Sequence, residues 1–402
     1  MSEEFKVSVL EYLEVKIIES CNYRCSGCAG WGNIAKREIY DIAQYECDIK
    51  RISKLFDKVK MLHILGGEPL LNEHINKYIA IARKYLKDTE IYLITNGTLL
   101  HTKDHSFFQC IKDNDIKVHI SHYPVEKDLE KVKMACSILQ ENSIRFEIID
   151  TDIFSVSMQL ENNTFDVEET FKVCTSYMNC TNLYNGMIYK CPRPISLRHY
   201  DRKFGTNYAD MTDGIDIYDS MITGQAILEK LNYPIRTCRL CTPERKFLKW
   251  SQSEADIFQW QICKENRLLL DNERNRNELL ELAPNYKLMI FEIEHSTKKI
   301  EKKEYLFDDI KEVIEKGVYI WLNDLRCLSY CNILKYIVEI RNGEIKGIIS
   351  KNKKISDTLW GVTKLEKKDI VHISSIIVLA TGVKGFYEVE YEINNILRGV
   401  KK

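Results

Sequence analysis

Three cysteines near the start of the chain have a spacing that suits metal-cluster chemistry. Cys21, Cys25 and Cys28 follow the pattern C-x3-C-x2-C, which brings three thiolates onto one short loop. A closed structural zinc site takes four ligands. A [4Fe-4S] cluster held by three protein thiolates instead keeps one iron open for another ligand. Because an open iron indicates reactivity, we expect this loop to belong to an enzyme.

Three predicted strands further along the chain each end in polar or glycine-rich residues. Met61 to Leu65 leads into Gly66-Gly67-Glu68-Pro69, Ile91 to Ile94 into Thr95-Asn96-Gly97, and Lys117 to Ile120 into Ser121. Helical periodicity separates the strands. Alternation of strands and helices predicts a parallel sheet covered by helices. The carboxyl ends of such strands are where barrel folds place their active sites.

The cysteine loop and these strand ends, in this order, resemble the radical S-adenosylmethionine (SAM) superfamily. The resemblance implies a partial (β/α)6 TIM-like barrel over residues 1–160, with SAM bound at the open iron. It implies that the cofactor is contacted by Gly66, Gly67, Glu68, Pro69, Thr95, Asn96 and Ser121. One residue departs from the pattern: the family usually has an aromatic residue just before the last cysteine, where this chain has Gly27. Trp31 could cover the adenine instead, or be ordinary core.

A second group of cysteines lies in residues 161–263. Its members are Cys174, Cys180, Cys191, Cys238 and Cys241. The Gly-x4-Cys spacing from Gly186 to Cys191, followed by a C-x2-C pair, resembles SPASM/twitch domains. The resemblance implies a second [4Fe-4S] cluster on Cys174, Cys191, Cys238 and Cys241. Cys180 could replace Cys174, be a structural thiol or donate a hydrogen atom, and the spacing alone would also allow a four-cysteine zinc site.

Residues 264–402 are predicted to form a connecting helix, over 264–286, and a Rossmann-like α/β domain. Apolar strands are predicted around Tyr319–Trp321, Ile345–Ile349 and Ile376–Ala380, and a final helix over Tyr387–Leu397. The G-x-G-x-x-G turn that cradles a dinucleotide is missing after Trp321, which argues against nicotinamide binding. The predicted fold class is therefore α/β, in three parts: the partial barrel, a small auxiliary-cluster domain and the Rossmann-like domain.

Composition narrows the function classes. The 58 Lys and Arg residues nearly balance the 59 Asp and Glu residues, giving a net charge of −1. No basic stripe indicates a nucleic-acid partner, and no apolar run is long enough to cross a membrane. The first residues lack the apolar segment of a signal peptide. Fourteen cysteines, many in ligand-like clusters, favour the reducing cytoplasm over a disulfide framework.

The resemblance implies that the chain cleaves SAM to a 5′-deoxyadenosyl radical, which abstracts hydrogen from a substrate. The cysteine layout of residues 161–263 is similar to that of enzymes that oxidise a cyclitol, so we expect a sugar, cyclitol or nucleotide-sugar substrate and an electron donor such as flavodoxin or ferredoxin. Epimerisation with Cys180 as hydrogen donor is a second outcome. A peptide-modifying maturase and a non-enzymatic iron-sulfur protein are the alternatives. His122 and Tyr123, which follow Ser121, are further candidates for catalytic contacts.

Overall fold

The structure is a computed structural model with two compact units, Met1–Arg267 and Leu268–Lys402. It describes residues 7–151, 153–160, 166–172, 174, 180–262, 287–306, 314–315, 317–323, 334, 338, 342–350, 358–359, 362–379 and 382–399. The predicted connecting helix at 264–286 lies outside these residues, as do Cys263, Cys327 and Cys331.

The first unit is built on one open, mostly parallel sheet and two separate strand pairs. The strands of the unit are β1 (Val9–Leu10), β2 (Leu13–Lys16), β3 (Lys58–Val59), β4 (Met61–Leu65), β5 (Glu90–Thr95), β6 (Lys117–His122), β7 (Phe146–Asp150), β8 (Ile153–Met158), β9 (Asn182–Tyr184), β10 (Met187–Tyr189), β11 (Ile215–Asp216) and β12 (Cys241–Lys249). The separate pairs are β1 with β3 and β8 with β12. The main sheet has the order β11-β10-β9-β2-β4-β5-β6-β7. The neighbouring pairs β9-β2, β2-β4, β4-β5, β5-β6 and β6-β7 are parallel, whereas β10 pairs antiparallel with both β9 and β11. In the described residues the sheet is not closed, because β11 and β7 form its two ends.

The helices of the first unit are α1 (Ile42–Leu55), α2 (Ile75–Tyr85), α3 (His105–Asp113), α4 (Leu129–Glu141), α5 (Val167–Lys172), α6 (Arg193–Phe204) and α7 (Gly224–Lys230). Helices α1 to α4 and α7 bury apolar residues in the core of the main sheet, and α6 packs in a separate core cluster with Trp31 and Trp260. The starts of α1 and α3 follow local chemistry: the Asp41 side chain accepts a hydrogen bond from the Gln44 N–H, and Asp104 caps α3 in the same way. Ile49 and Ile52 of α1 and Tyr78 of α2 are buried in the core beneath the sheet. The helices and strands predicted up to residue 150 therefore form, with ends shifted by a few residues.

The hairpin of β9 and β10 extends the main sheet. β9 pairs with β2 at Glu14 and Asn182, and the Glu14 N–H donates to the Thr181 carbonyl at 2.8 Å. Asn185 and Gly186 both have positive φ and form the hairpin turn that an Asn-Gly pair favours. The start of the second cysteine region is thus continuous with the sheet that carries the first.

The second unit contains a seven-stranded mixed sheet. Its strands are β13 (Lys287–Glu294), β14 (Lys299–Leu306), β15 (Val318–Leu322), β16 (Ile345–Ser350), β17 (Thr358–Leu359), β18 (Val362–Leu365) and β19 (Ser375–Leu379), in the order β14-β13-β19-β15-β16-β18-β17. Strands β19, β15, β16 and β18 are parallel, while β13, β14 and β17 run antiparallel to their neighbours. Helix α8 (Gly382–Leu397) follows the last strand. The sequence also predicts a helix at 328–341, most of which lies outside the described residues.

Candidate active site

A cavity of about 400 Å³ opens at the carboxyl ends of the parallel strands in the first unit. It is lined by all three cysteines of the first loop, Cys21, Cys25 and Cys28. Predicted cofactor-contacting residues line the same cavity: Gly66, Gly67, Glu68, Thr95, Asn96 and Ser121. Pro69 is buried behind this wall at the start of a short 3₁₀ turn. The volume of the cavity falls in the range usual for cofactor and small-molecule sites.

The cysteine loop presents sulfur atoms with N–H donors aimed at them. The Tyr23 backbone N–H donates to Cys21 Sγ at 3.4 Å, and the Trp250 indole N–H donates to Cys25 Sγ at 3.2 Å. Burial and, to a smaller extent, the neighbouring Cys28 sulfur raise the pKa of Cys25 to about 12. Thiolates held this close together need positive charge between them to ionise. The donor set therefore suits an iron-sulfur cluster, which supplies that charge.

Glu68 joins two of the predicted motifs. Its side chain is buried, and its carboxylate accepts hydrogen bonds from the Thr95 hydroxyl (2.7 Å), the Asn96 N–H (2.9 Å) and the Leu70 N–H (3.0 Å). Burial raises the pKa of this carboxyl, while the three donors act in the opposite direction. Because these donors occupy both oxygens, Glu68 holds the glycine turn against the end of β5. The atoms that the turn offers to the cavity are mainly backbone.

The two glycines before Glu68 are required by backbone packing. A β-carbon on Gly66 would lie 2.3 Å from the Ile18 carbonyl oxygen, and one on Gly67 would lie 2.3 Å from the Ser20 carbonyl oxygen. The Gly67 N–H donates to Ile18 and the Glu68 N–H donates to Ser20. The glycines thus let the turn lie directly on the chain that enters the cysteine loop. From the sequence we expect these glycines only to contact the cofactor, and their role in backbone packing is visible in the structure.

Asn96 ties the end of β5 to the cysteine loop. Its side-chain N–H donates to Asn22 Oδ1 at 2.8 Å, and its own oxygen accepts from the Thr98 N–H and hydroxyl. Asn22 completes the network by donating to Thr98 Oγ1 at 3.0 Å. Asn22 lies between two of the cysteines, and the sequence analysis did not single it out.

His122 and Tyr123, named together from the sequence, have different surroundings. Tyr123 lines the cavity, with its ring stacked on Trp250 at a centroid distance of 5.5 Å. His122 is not among the cavity-lining residues, and its Nδ1 lies 2.7 Å from Asp150 Oδ1. Trp31 is 1% exposed and stacks on Trp260 in a core cluster. Of its two predicted roles, the structure therefore supports ordinary core for Trp31.

The second cysteine group is assembled near the same cavity from three segments. The charges of Cys174 and Cys241 raise the pKa of both Cys191 and Cys238, after the larger effect of burial, so Cys191 and Cys238 each lie within electrostatic range of those two sulfurs. The Ile235 N–H donates to Cys238 Sγ at 3.4 Å. Cys180 instead lines the cavity. Among the described residues, no group of three or more His, Cys, Asp or Glu side chains was found that could hold a single metal ion.

Arg193 lies between the two cysteine groups. It lines the cavity, and its guanidinium donates to Cys241 Sγ and, at 2.7 Å, to Ser157 Oγ. Burial alone would lower the pKa of Arg193, but the sulfurs of Cys241, Cys174 and Cys191 raise it above its usual range. Its position directly after Cys191-Pro192 was the available sequence signal, and it was missed.

Lys16 and Glu19 form a buried charge network beside the cavity. Lys16 Nζ donates to Ser196 Oγ at 2.7 Å and the Gly30 carbonyl at 3.0 Å, and it pairs with Glu19 at 3.4 Å. The His199 ring lies 3.0 Å from the same carboxylate. Burial raises the pKa of Glu19, but its cationic and hydrogen-bonding neighbours outweigh that effect and hold it well below the usual value. The network fixes α6 to the start of the cysteine loop.

Comparison with known proteins identifies this arrangement. A family model for the Radical SAM superfamily matches residues 15–124, which include the cysteine loop and the three strand ends. These residues therefore carry a radical SAM domain. The family implies a [4Fe-4S] cluster and SAM as cofactors, and the residues around the cavity fit them.

Curated relatives match parts of the chain. A GTP 3′,8-cyclase of Aliarcobacter butzleri (strain RM4018) is 36% identical over 92 residues, covering 23% of this chain and 28% of that protein. A GTP 3′,8-cyclase of Helicobacter pylori (strain HPAG1) is 24% identical over 227 residues, covering 55% of this chain and 65% of that protein. The chain therefore spans less than two thirds of the length of these relatives.

Solved structures with similar parts include two SAM complexes. "Crystal structure of BtrN in complex with AdoMet and 2-DOIA" is 15% identical with a TM-score of 0.37, covering 58% of this chain and 84% of that one. "Native anSMEcpe with bound AdoMet" is 22% identical with a TM-score of 0.30, covering 35% of this chain and 44% of that one. No helix in the described part of the chain is long and apolar enough to cross a membrane.

Proposed function

We propose that this chain is a radical SAM enzyme that cleaves SAM reductively and removes a hydrogen atom from a small polar substrate. One observation carries the proposal: Cys21, Cys25 and Cys28 line the same cavity as the glycine turn and the ends of β5 and β6. When bound, the cluster and SAM supply one-electron reduction and hydrogen-atom abstraction. The protein's own contribution is to hold, orient and enclose them.

Different residues of the described part of the chain hold, orient and enclose the cofactors. Cys21, Cys25 and Cys28 would hold the cluster, and the backbone of Gly66 and Gly67 would face the methionine part of SAM. Glu68 positions that backbone through its three internal hydrogen bonds rather than by direct contact. The ends of β5 and β6, with Thr95, Asn96 and Ser121, would take the ribose side. Tyr23 and Tyr123 form an aromatic wall that excludes water.

We further propose that the second cysteine group holds an auxiliary [4Fe-4S] cluster of the twitch type. Mutual electrostatic effects among Cys174, Cys191, Cys238 and Cys241 support this ligand set. Cys180 faces the cavity and is the candidate hydrogen-atom donor if the reaction is an epimerisation. The corresponding architecture is a partial barrel (1–160), an auxiliary-cluster domain (161–263) and a Rossmann-like domain (264–402).

The cavity's charges favour a hydroxyl-bearing substrate such as a sugar, cyclitol or nucleotide-sugar. Glu14, Lys16 and Arg193 line it together with the Ser157 hydroxyl, so both hydrogen-bond donors and acceptors face the bound molecule. Oxidation of such a substrate is the outcome we favour. A purine nucleotide is the second candidate, because the curated relatives that match residues of the first unit are GTP 3′,8-cyclases.

The remaining parts of the proposal follow from this chemistry. The clusters require an electron donor such as flavodoxin or ferredoxin, and thiolate ligands require a reducing compartment, here the cytoplasm. No nucleic-acid or membrane partner is proposed, since the net charge of −1 offers no electrostatic reason for one.

Anaerobic reconstitution followed by dithionite reduction tests the proposal. We expect about eight irons per chain from two four-iron clusters, and release of 5′-deoxyadenosine from SAM. Replacing Cys21, Cys25 and Cys28 together with Ala should leave about half of the iron and abolish SAM cleavage. Retained cleavage in that variant would refute the assignment of the first site. A wild-type content of about four irons and one zinc would refute the auxiliary cluster. Adding a cyclitol, a nucleotide-sugar, GTP or a peptide then separates the substrate classes by product.

A further inference from the structure

Residues 250–260, which we name the strap, run back along the first cysteine loop. The Ser26 N–H donates to the Ser251 carbonyl at 2.9 Å, and the Ser253 N–H donates to the Arg24 carbonyl at 3.2 Å. The hydroxyls of Ser26 and Ser253 lie 2.7 Å apart. Cys25 and Gln252 form an isolated antiparallel bridge. The loop that carries the three cysteines is therefore held by a segment more than 200 residues away in sequence.

Trp250 brings the strap into contact with a cluster-ligating atom. Its indole N–H donates to Cys25 Sγ at 3.2 Å. Its ring stacks on Tyr123, with an interplanar angle of 21°, and lies 6.1 Å from the Tyr23 ring. Because both tyrosines line the cavity, Trp250 supports the cavity's aromatic wall from behind and contacts one sulfur directly.

The strap side of the loop also accounts for Gly27, the residue that departs from the family pattern. Gly27 has φ +69°, and a β-carbon there would lie 2.6 Å from Leu248 Cδ1 and 3.1 Å from the Gln259 carbonyl oxygen. The space that an aromatic side chain would need at this position is thus filled by the strap and the end of β12.

We propose that the strap is an integral part of the first cluster site: Trp250 tunes the cluster through its hydrogen bond to Cys25, and the strap and the end of β12 take up the space that an aromatic residue before Cys28 would need. The proposal rests on the cluster binding proposed above. A hydrogen bond to a ligating sulfur withdraws electron density and stabilises the reduced cluster. Removing it shifts the reduction potential to a more negative value.

The test compares Trp250→Phe with Trp250→Ala in a Cys238→Ala/Cys241→Ala background, where only the first cluster gives a signal. Trp250→Phe keeps a ring against Tyr123 but loses the N–H, so the midpoint potential in a spectroscopic redox titration should become more negative. Trp250→Ala should also lose iron to a chelator about tenfold faster, as expected for loss of a group that supports metal ligands. Trp321→Phe is the matched control, since Trp321 is buried in the core of the second unit, and it should change neither quantity.

The outcomes separate the two proposals. An unchanged potential in Trp250→Phe, together with an unchanged rate of iron loss in Trp250→Ala, overturns the role of the strap and leaves the proposed function standing. A wild-type chain that takes up no four-iron cluster overturns both. If the Cys238→Ala/Cys241→Ala background does not fold, the midpoint potentials of both clusters are measured in the otherwise wild-type chain. The cluster whose potential shifts on Trp250→Phe is then compared with the cluster whose potential does not.

Discussion

The two cysteine groups of the first unit are built in different ways. Cys21, Cys25 and Cys28 lie on one loop and line an open cavity, so their spacing in sequence already describes their site. Cys174, Cys191, Cys238 and Cys241 come from three separate segments and have the Arg193 cation against them. The local group brings three thiols to a cavity with room for a further ligand, whereas we propose that the assembled group supplies four ligands. The difference favours reactivity at the first site and electron exchange at the second.

The largest effect is expected from removing the second cysteine group alone, which tests whether the two groups have different roles. Replacing Cys238 and Cys241 with Ala should keep 5′-deoxyadenosine formation within about a factor of ten, because these two sulfurs do not line the cavity of the first site. Iron content should fall by about half, and the oxidised product should be lost. Product at the wild-type rate would mean that the second group takes no part in the reaction. Epimerisation would then be the better account, and Cys180→Ala would be the next variant.

A smaller effect is expected from Arg193→Lys. Lysine keeps the positive charge but cannot bridge Cys241 Sγ and Ser157 Oγ as the guanidinium does. Product formation should fall about tenfold, the usual cost of changing a group that supports metal ligands, while 5′-deoxyadenosine is still formed. Arg145→Lys, at an exposed pair with Asp115, is the control. Equal rates in both variants would show that Arg193 does not connect the two groups.

The smallest effect is expected where β6 and β7 pair, and it is an effect on stability rather than on activity. Here the Glu147 carboxylate accepts a hydrogen bond from His119 at 3.0 Å and pairs with Lys117 at 3.1 Å. The hydrogen bond from His119 and the charge of Lys117 lower the pKa of Glu147 to about 2. A lowered carboxyl pKa adds stability above the unfolded-state value, and this stability is lost as pH falls toward 2. Glu147→Gln should therefore cost about 1–3 kcal/mol at pH 7, with the difference shrinking below pH 4.5. Chemical unfolding at several pH values measures it, and a constant difference would contradict the assignment.

The sequence predicted the parts of the site that are local and missed those that depend on distant contacts. The first cysteine loop and the ends of β4, β5 and β6 could be found because strand ends and ligand spacing leave short patterns. The burial of Lys16 could not be predicted. The alternation of Leu13, Val15 and Ile17 predicts a strand, but it does not show that β9 and α6 bury the polar face of that strand. Lys16 is in fact 8% exposed. Trp250 left no pattern at all, since its partner Cys25 is 225 residues away.

The separation between Trp250 and Cys25 also has a consequence during synthesis. A ribosome adding roughly 5 to 20 residues per second needs about 10 to 45 s to make the 225 residues between them. Strand β2 likewise waits for β9 before its outer edge is paired, and an unpaired strand edge invites association with other chains. For this interval the nascent chain carries three thiols on a loop without its strap. That interval is when iron and sulfide have their freest access to the loop, and it is also when oxygen does.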